Sequence, residues 1–166
     1  MERSVDSTVL HIVKTRLVRD YPAQIRTCID ALTDEQLWWR PNEHSNAVGN
    51  LIVHLAGSNR YYLDHVLGGR EDLRNRSAEF AIRGGRSKPE LRKVWDDSVA
   101  ATGQALDAID PSRLMDTTDR GGKQTTVLQV LLHVSHHNSV HMGQIVYIAK
   151  QLNPTAIDDI WMKSRS

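Results

Sequence analysis

His133-Val134-Ser135-His136-His137-Asn138-Ser139-Val140-His141-Met142-Gly143-Gln144-Ile145 places four of the eight histidines within nine residues, inside an apolar run that reads as a helix. Residues four apart on a helix share a face, with Cβ atoms about 5–6 Å apart. His137 and His141 can therefore reach one metal ion together, and so can His133 and His137. Core positions normally take Leu, Ile or Val, so successive turns of imidazole are hard to explain as ordinary packing. His136 lies about 100° from His137 around the helix and faces a neighbouring helix or solvent.

Outward from this stretch the chain reads as mostly helical. The helix containing it runs from about Thr126 to Leu152 and is closed by Asn153-Pro154. Upstream, Leu10, Val13, Leu17, Tyr21, Ile25, Cys28 and Leu32 recur every three or four residues, the mark of an amphipathic helix. Pro22 falls inside that pattern and is expected to kink or divide it. Cys28 lies on the apolar stripe and reads as a buried, inert thiol. Thr33-Asp34-Glu35-Gln36 opens a short turn that ends near Arg40-Pro41. A second long helix spans about Ala47 to Leu67 and stops at Gly68-Gly69. Arg70 to Lys88 is read as a long ordered loop with one turn. A third helix follows the capping box Ser87-Lys88-Pro89-Glu90 and turns Leu91, Val94, Trp95, Val99, Thr102 and Leu106 inward. Around Gly121-Gly122, the arms Leu114 to Thr118 and Lys123 to Thr126 suggest a small hairpin. Ile157, Ile160, Trp161 and Met162 are expected to dock as a short final helix. Four long helices with short elements between them make an all-α four-helix bundle the economical fold.

Composition narrows the function. The 166 residues suit a single domain spanning 1–166. Lys+Arg 21 against Asp+Glu 20 leaves a net charge of +1, which argues against a dominant nucleic-acid or anionic-membrane surface. One cysteine forms no internal disulfide, and no apolar run approaches the ~18–20 residues of a membrane span. A cytoplasmic protein acting on a small molecule is expected.

A metal site in a bundle is assembled from facing helices. On the second helix, Leu51-Ile52-Val53-His54-Leu55-Ala56-Gly57 surrounds His54 with apolar neighbours, so His54 is expected to be buried. His65 shares nearly the same face but lies about 16 Å further along, too far to share the ion. His65 instead falls beside the glycine stop, while His11 and His44 read as solvated. From the residues alone, a buried core histidine at His54 and a metal ligand remain alternatives.

Three blocks over residues 33–150 resemble the DinB/YfiT-like superfamily of helical metalloenzymes, in its DUF1572 branch. The DinB name here does not refer to the DNA polymerase. The first block is Leu37-Trp38-Trp39-Arg40-Pro41 with Asn46 and Leu51 to Gly57. The second, Arg74-Asn75-Arg76-Ser77-Ala78-Glu79-Phe80, resembles Arg-Asn-Arg-Asp-x-Glu-Phe with Ser77 in place of the Asp. The third, His137 to Val146, resembles His-x-x-x-His-x-Gly-Gln-Ile.

The resemblance implies a bundle with up-down-down-up topology, holding a divalent metal, zinc or nickel, on His54, His137 and His141. His133 and Gln144 would support the site, with Glu79, Asn46, Arg76 and Trp39 as further pocket residues. Gly143 would permit close helix approach. Relatives imply thiol-dependent S-transfer or isomerisation with a low-molecular-weight thiol as cofactor, in a homodimer. A non-enzymatic metal-binding bundle and a metal-dependent hydrolase are the alternatives.

Overall fold

The computed structural model describes residues 4–157 and Ile160. Trp161 and Met162, expected in a docking tail, lie outside the described residues. The first long segment comprises α1 (Val5–Thr15), a π-helical stretch Arg16–Asp20 and α2 (Tyr21–Ala31). The short α3 (Asp34–Leu37) follows behind a reciprocal Thr33–Gln36 capping box. Next come α4 (Val48–Arg60), continued as a π-helical stretch Tyr61–Leu67, and the one-and-a-half-turn α5 (Arg76–Ala81). The last two long helices are α6 (Lys88–Asp107) and α7 (Val127–Leu152), with the strands β1 (Thr117–Asp119) and β2 (Gln124–Thr126) between them.

Pro22 neither divides nor ends the first segment. Proline lacks an N–H and crowds the carbonyl four residues back, and the helix accommodates this by widening into the π turn just upstream, where Tyr21 N–H reaches the Arg16 carbonyl. The stripe from Leu10 to Leu32 is buried throughout. Cys28 is fully buried, and burial pushes its thiol up to about 12.

The second segment ends at Gly68 and Gly69, where Gly69 takes φ +66°. Gly121 and Gly122 both have positive φ, the conformation that a tight two-residue turn demands. They join β1 and β2 in antiparallel register, Thr117 opposite Thr126 and Asp119 opposite Gln124. A Thr126–Gln129 capping box then starts α7 directly from the hairpin.

Four helical segments pack into a bundle in which α4 and α2 each lie between α6 and α7. Lys14 pairs with Asp107, Arg26 with Asp96 (2.7 Å) and Arg92 with Asp30 (2.6 Å), so the first segment and α6 run antiparallel. Asn153 Nδ2–H donates to the Ala31 carbonyl (2.8 Å), so the first segment and α7 end together. Ile25, Ile29, Leu51, Leu55, Leu91, Trp95, Leu131 and Ile145 form the shared core. Burying each such side chain contributes roughly 1.5–3 kcal/mol. Ile157 and Ile160 join that core after the turn Pro154–Ala156. No helix among the described residues is long and apolar enough to cross a membrane.

Candidate metal centre

α4 and α7 meet through a pair of buried amides. Asn138 Nδ2–H donates to Asn59 Oδ1 (2.7 Å), and Asn59 Nδ2–H returns the bond to Asn138 Oδ1 (3.3 Å). A fully paired buried amide couple tolerates no slippage, because one residue of shift would leave both unpaired. That registration sets His54, five residues before Asn59, opposite His137, the residue before Asn138. The two Nε2 atoms are 3.1 Å apart.

His141 completes the group, its ring centroid 5.0 Å from that of His54 and 4.5 Å from that of His137. One nitrogen from each of the three residues lies within 4.8 Å of the others, the geometry of a cluster that could hold a divalent metal. Two nitrogens on one zinc ion, at about 2.0–2.1 Å each, are at most about 4 Å apart, so only a small side-chain adjustment separates this arrangement from ligation.

The outer hydrogen bonds fix which nitrogen faces the centre. His54 Nδ1–H donates to Glu79 Oε2 (2.8 Å), leaving Nε2 with its lone pair toward His137. His141 Nδ1–H donates to Gln144 Oε1 (2.7 Å), which frees its Nε2 likewise. Ser58 Oγ lies 3.5 Å from His137 Nδ1. Such partners orient metal-binding imidazoles and raise their basicity.

Glu79 is buried, yet its carboxyl sits below the usual range. Burial pushes it up, and hydrogen bonds from His54 and Arg74 together with the Arg74 charge outweigh that effect. Arg74 clamps both oxygens, Nε–H to Oε1 (2.7 Å) and Nη2–H to Oε2 (2.9 Å). Arg74 Nη2 also lies 3.2 Å from His54 Nδ1, and the carboxylate between these two donors accepts from both. Asn50 ties the clamp to α4, its Nδ2–H donating to the carbonyls of Glu79 and Ile82 (3.0 Å each).

Gly57 makes the approach possible: a Cβ there would collide with Glu79 Oε1. Burial, reinforced by His141, His54, His133 and Arg74, pushes the His137 imidazole down to about 3. His141 is also lowered, chiefly by burial.

The remaining sequence candidates spread out. His133 is half-buried, stacked 5.8 Å from His137 and packed against Tyr62 at 4.7 Å, and burial lowers it. Arg120 of the hairpin covers that Tyr62 ring. His136, His11 and His44 are exposed, and His65 Nδ1–H donates to the Arg70 carbonyl (2.6 Å) at the helix end.

Asn46 is half-buried and makes no side-chain hydrogen bond among the described residues; Asn50 holds the Glu79 backbone instead. Arg76 caps the Phe80 ring at 5.2 Å, while Trp39 sits at the surface, 36% exposed. Ser77, which stands where the block has Asp, is exposed on α5. Gly143 is also exposed. A Cβ there would meet nothing within 4 Å, so it permits no close approach between helices of this chain.

Arg74, Asn50 and the Asn59–Asn138 pair support the histidine cluster through hydrogen bonds that sequence reasoning passed over. Arg74 stands at the head of the second block, but nothing in its spacing announces a carboxylate partner five residues on.

This fold is that of the DinB-like helical proteins. It is similar to the solved structure of the DinB-like protein YjoA from Bacillus subtilis, with a TM-score of 0.66 at 14% identity, covering 85% of this chain and 92% of that one. It is similar also to a DinB-like protein from Bacillus cereus ATCC 10987, with a TM-score of 0.64 at 17% identity, covering 80% and 86%. No curated protein matches the sequence. The chain belongs to the family described as "Protein of unknown function (DUF1572)", which it matches over residues 5–162.

Proposed function

We propose that the chain binds a divalent cation, zinc or nickel, on His54, His137 and His141, and uses it in thiol-dependent S-transfer to an electrophilic small molecule. The observation that carries this reading is the convergence of three imidazole nitrogens with two of their outer nitrogens already engaged, by Glu79 and Gln144. Three neutral ligands leave a coordination position free, as in catalytic rather than structural sites. When bound, such an ion supplies a Lewis acid that acidifies a thiol at that position.

The chain's own groups serve this chemistry by orientation. Glu79 holds the His54 proton on Nδ1, Gln144 does the same for His141, and Arg74 keeps Glu79 ionised. Cys28 is fully buried and its thiol is pushed up to about 12, so the nucleophile arrives with a small thiol rather than from the chain. In the reaction, the thiol sulfur forms a bond to the electrophilic carbon as that carbon's bond to halide or epoxide oxygen breaks, and the thiol proton leaves with the halide or ends on the ring-opened oxygen, which stays in the product. A cytoplasmic homodimer acting on a small molecule completes the proposal, supported by the balanced charge, the single buried cysteine and an exposed apolar stripe on α7.

Incubating the zinc-loaded protein with bacillithiol or mycothiol and an epoxide or alkyl halide tests the reading. A thioether product, seen by mass spectrometry and absent in His54→Ala and His141→Ala, is the expected result. Metal retention without thiol affinity or product would instead make the chain a non-enzymatic metal-binding bundle, and thiol-independent hydrolysis of the electrophile would make it a hydrolase.

A further inference from the structure

Two arginines converge on one backbone carbonyl beside Asn50, one turn of α4 before His54. Arg40, in the connection from α3 to α4, donates through Nη2–H to the Ile82 carbonyl (2.7 Å) and to Asn50 Oδ1 (2.8 Å). Arg83, just past α5, donates through Nη1–H to the Phe80 carbonyl (2.7 Å) and to that same Ile82 oxygen (3.4 Å). Asn50, fully buried, fixes the meeting point by donating its own Nδ2–H to the Ile82 carbonyl (3.0 Å). A carbonyl oxygen has two lone pairs, so three donors crowd an acceptor that serves two. The two guanidinium groups are therefore neighbours, and donors exceed acceptors around them.

Nothing balances their charge. Every acceptor these side chains find is neutral, and neither forms an ion pair among the described residues. Burial, and after it the Arg83 charge, lowers Arg40. Of the acids close in sequence, Glu79 is clamped by Arg74, and Glu90 accepts from Ser87 at the start of α6. Glu35 and Glu43 are exposed and pair with neither arginine. Arg40 Nε and Nη1 have no partner among the described residues, yet they are not sealed from solvent, and Arg83 is exposed. Beyond Arg83 a Cβ on Gly84 or Gly85 would meet nothing within 4 Å, so the surface there is open. Like charges held together are a feature of functional sites. Two guanidinium forks match the charge and the oxygens of a phosphate group better than those of a single carboxylate.

We propose that Arg40 and Arg83 bind the phosphate group of a small molecule on the flank of the metal centre. Arg83 holds the Phe80 carbonyl, and the Phe80 ring lies 4.5 Å from the His54 ring, so Phe80 links the two sites. Phosphate binding itself needs no metal; only the use of the bound molecule at the histidines rests on the function proposed above.

Titration of the metal-free protein with sodium phosphate, followed by NMR at the arginine Nε–H resonances, tests it. One saturable site per chain is expected, with acetate at equal ionic strength binding roughly tenfold more weakly. Arg83→Gln, a change at the surface, should weaken phosphate roughly tenfold. Arg60→Gln, at the other end of α4, should leave it unchanged. No saturable binding, equal affinities for phosphate and acetate, or wild-type phosphate affinity in Arg83→Gln would each overturn the proposal. An equal loss in Arg60→Gln would do so too, because binding would then follow overall charge. With no metal present, none of these outcomes bears on ligation by the histidines.

Discussion

At Gly57 the missing side chain is what allows the Glu79 carboxylate to reach His54. Gly57→Ala places a methyl group where Glu79 Oε1 sits, although alanine suits a helix better by about 1 kcal/mol. The expected outcome is a chain at least as helical as the wild type that binds zinc roughly 10–100-fold more weakly, read by calorimetry, because the partner that orients His54 has been displaced. An unchanged zinc affinity would mean that Glu79 does not position the ligand. His137 and His141 were legible as a pair because four-residue spacing on a helix has a fixed geometric meaning, whereas His54 joined them only through the family resemblance. Arg74 and Asn50 were not legible, since both reach across a connecting segment whose path no periodicity encodes. Asn138 lies inside the histidine stretch, yet nothing local reveals that its partner is Asn59 on another helix.

The elements were easier to read where caps and glycines punctuate them. Ser87–Glu90 starts α6, Thr33–Gln36 starts α3, and Gly69 and Gly121-Gly122 take the positive φ their positions suggested. Pro22 was harder, because a proline announces a disturbance without saying whether the helix breaks or widens. Between the first segment and α6, Arg26 and Arg92 both bind Asp96, and Arg92 reaches Asp30 as well.

For Asp96, burial raises the carboxyl, and these two arginines outweigh it and leave it below 3.8. A carboxyl whose folded-state value is depressed contributes stability that is present above its unfolded value and lost as pH falls through the folded one. Asp96→Asn should therefore cost about 0.5–1 kcal/mol in urea unfolding at neutral pH, a partly exposed network being screened by solvent. The difference from wild type should shrink to nothing once the pH drops below the folded-state value. A cost independent of pH would assign the residue a packing role instead.

For the whole molecule, one face of α7 carries Leu132, Val140 and Tyr147, 51%, 45% and 68% exposed, with Gly143 open among them. Nothing else in the described chain covers that face. If the proposed homodimer forms there, light scattering will give twice the 18.8 kDa chain mass, and Tyr147→Glu will return it to one. A dimer insensitive to that change would place the interface elsewhere.

The bundle itself was readable from four apolar periodicities, whereas the arrangement of the site depended on which helix faces which. The central claim is that histidines from α4 and α7 share one metal ion. Calorimetric titration of the metal-free protein with zinc tests it most directly: one ion should bind per chain, with binding lost in His54→Ala and in His137→Ala alike. Wild-type affinity retained in His54→Ala would contradict it, because ligation would then rest on α7 alone.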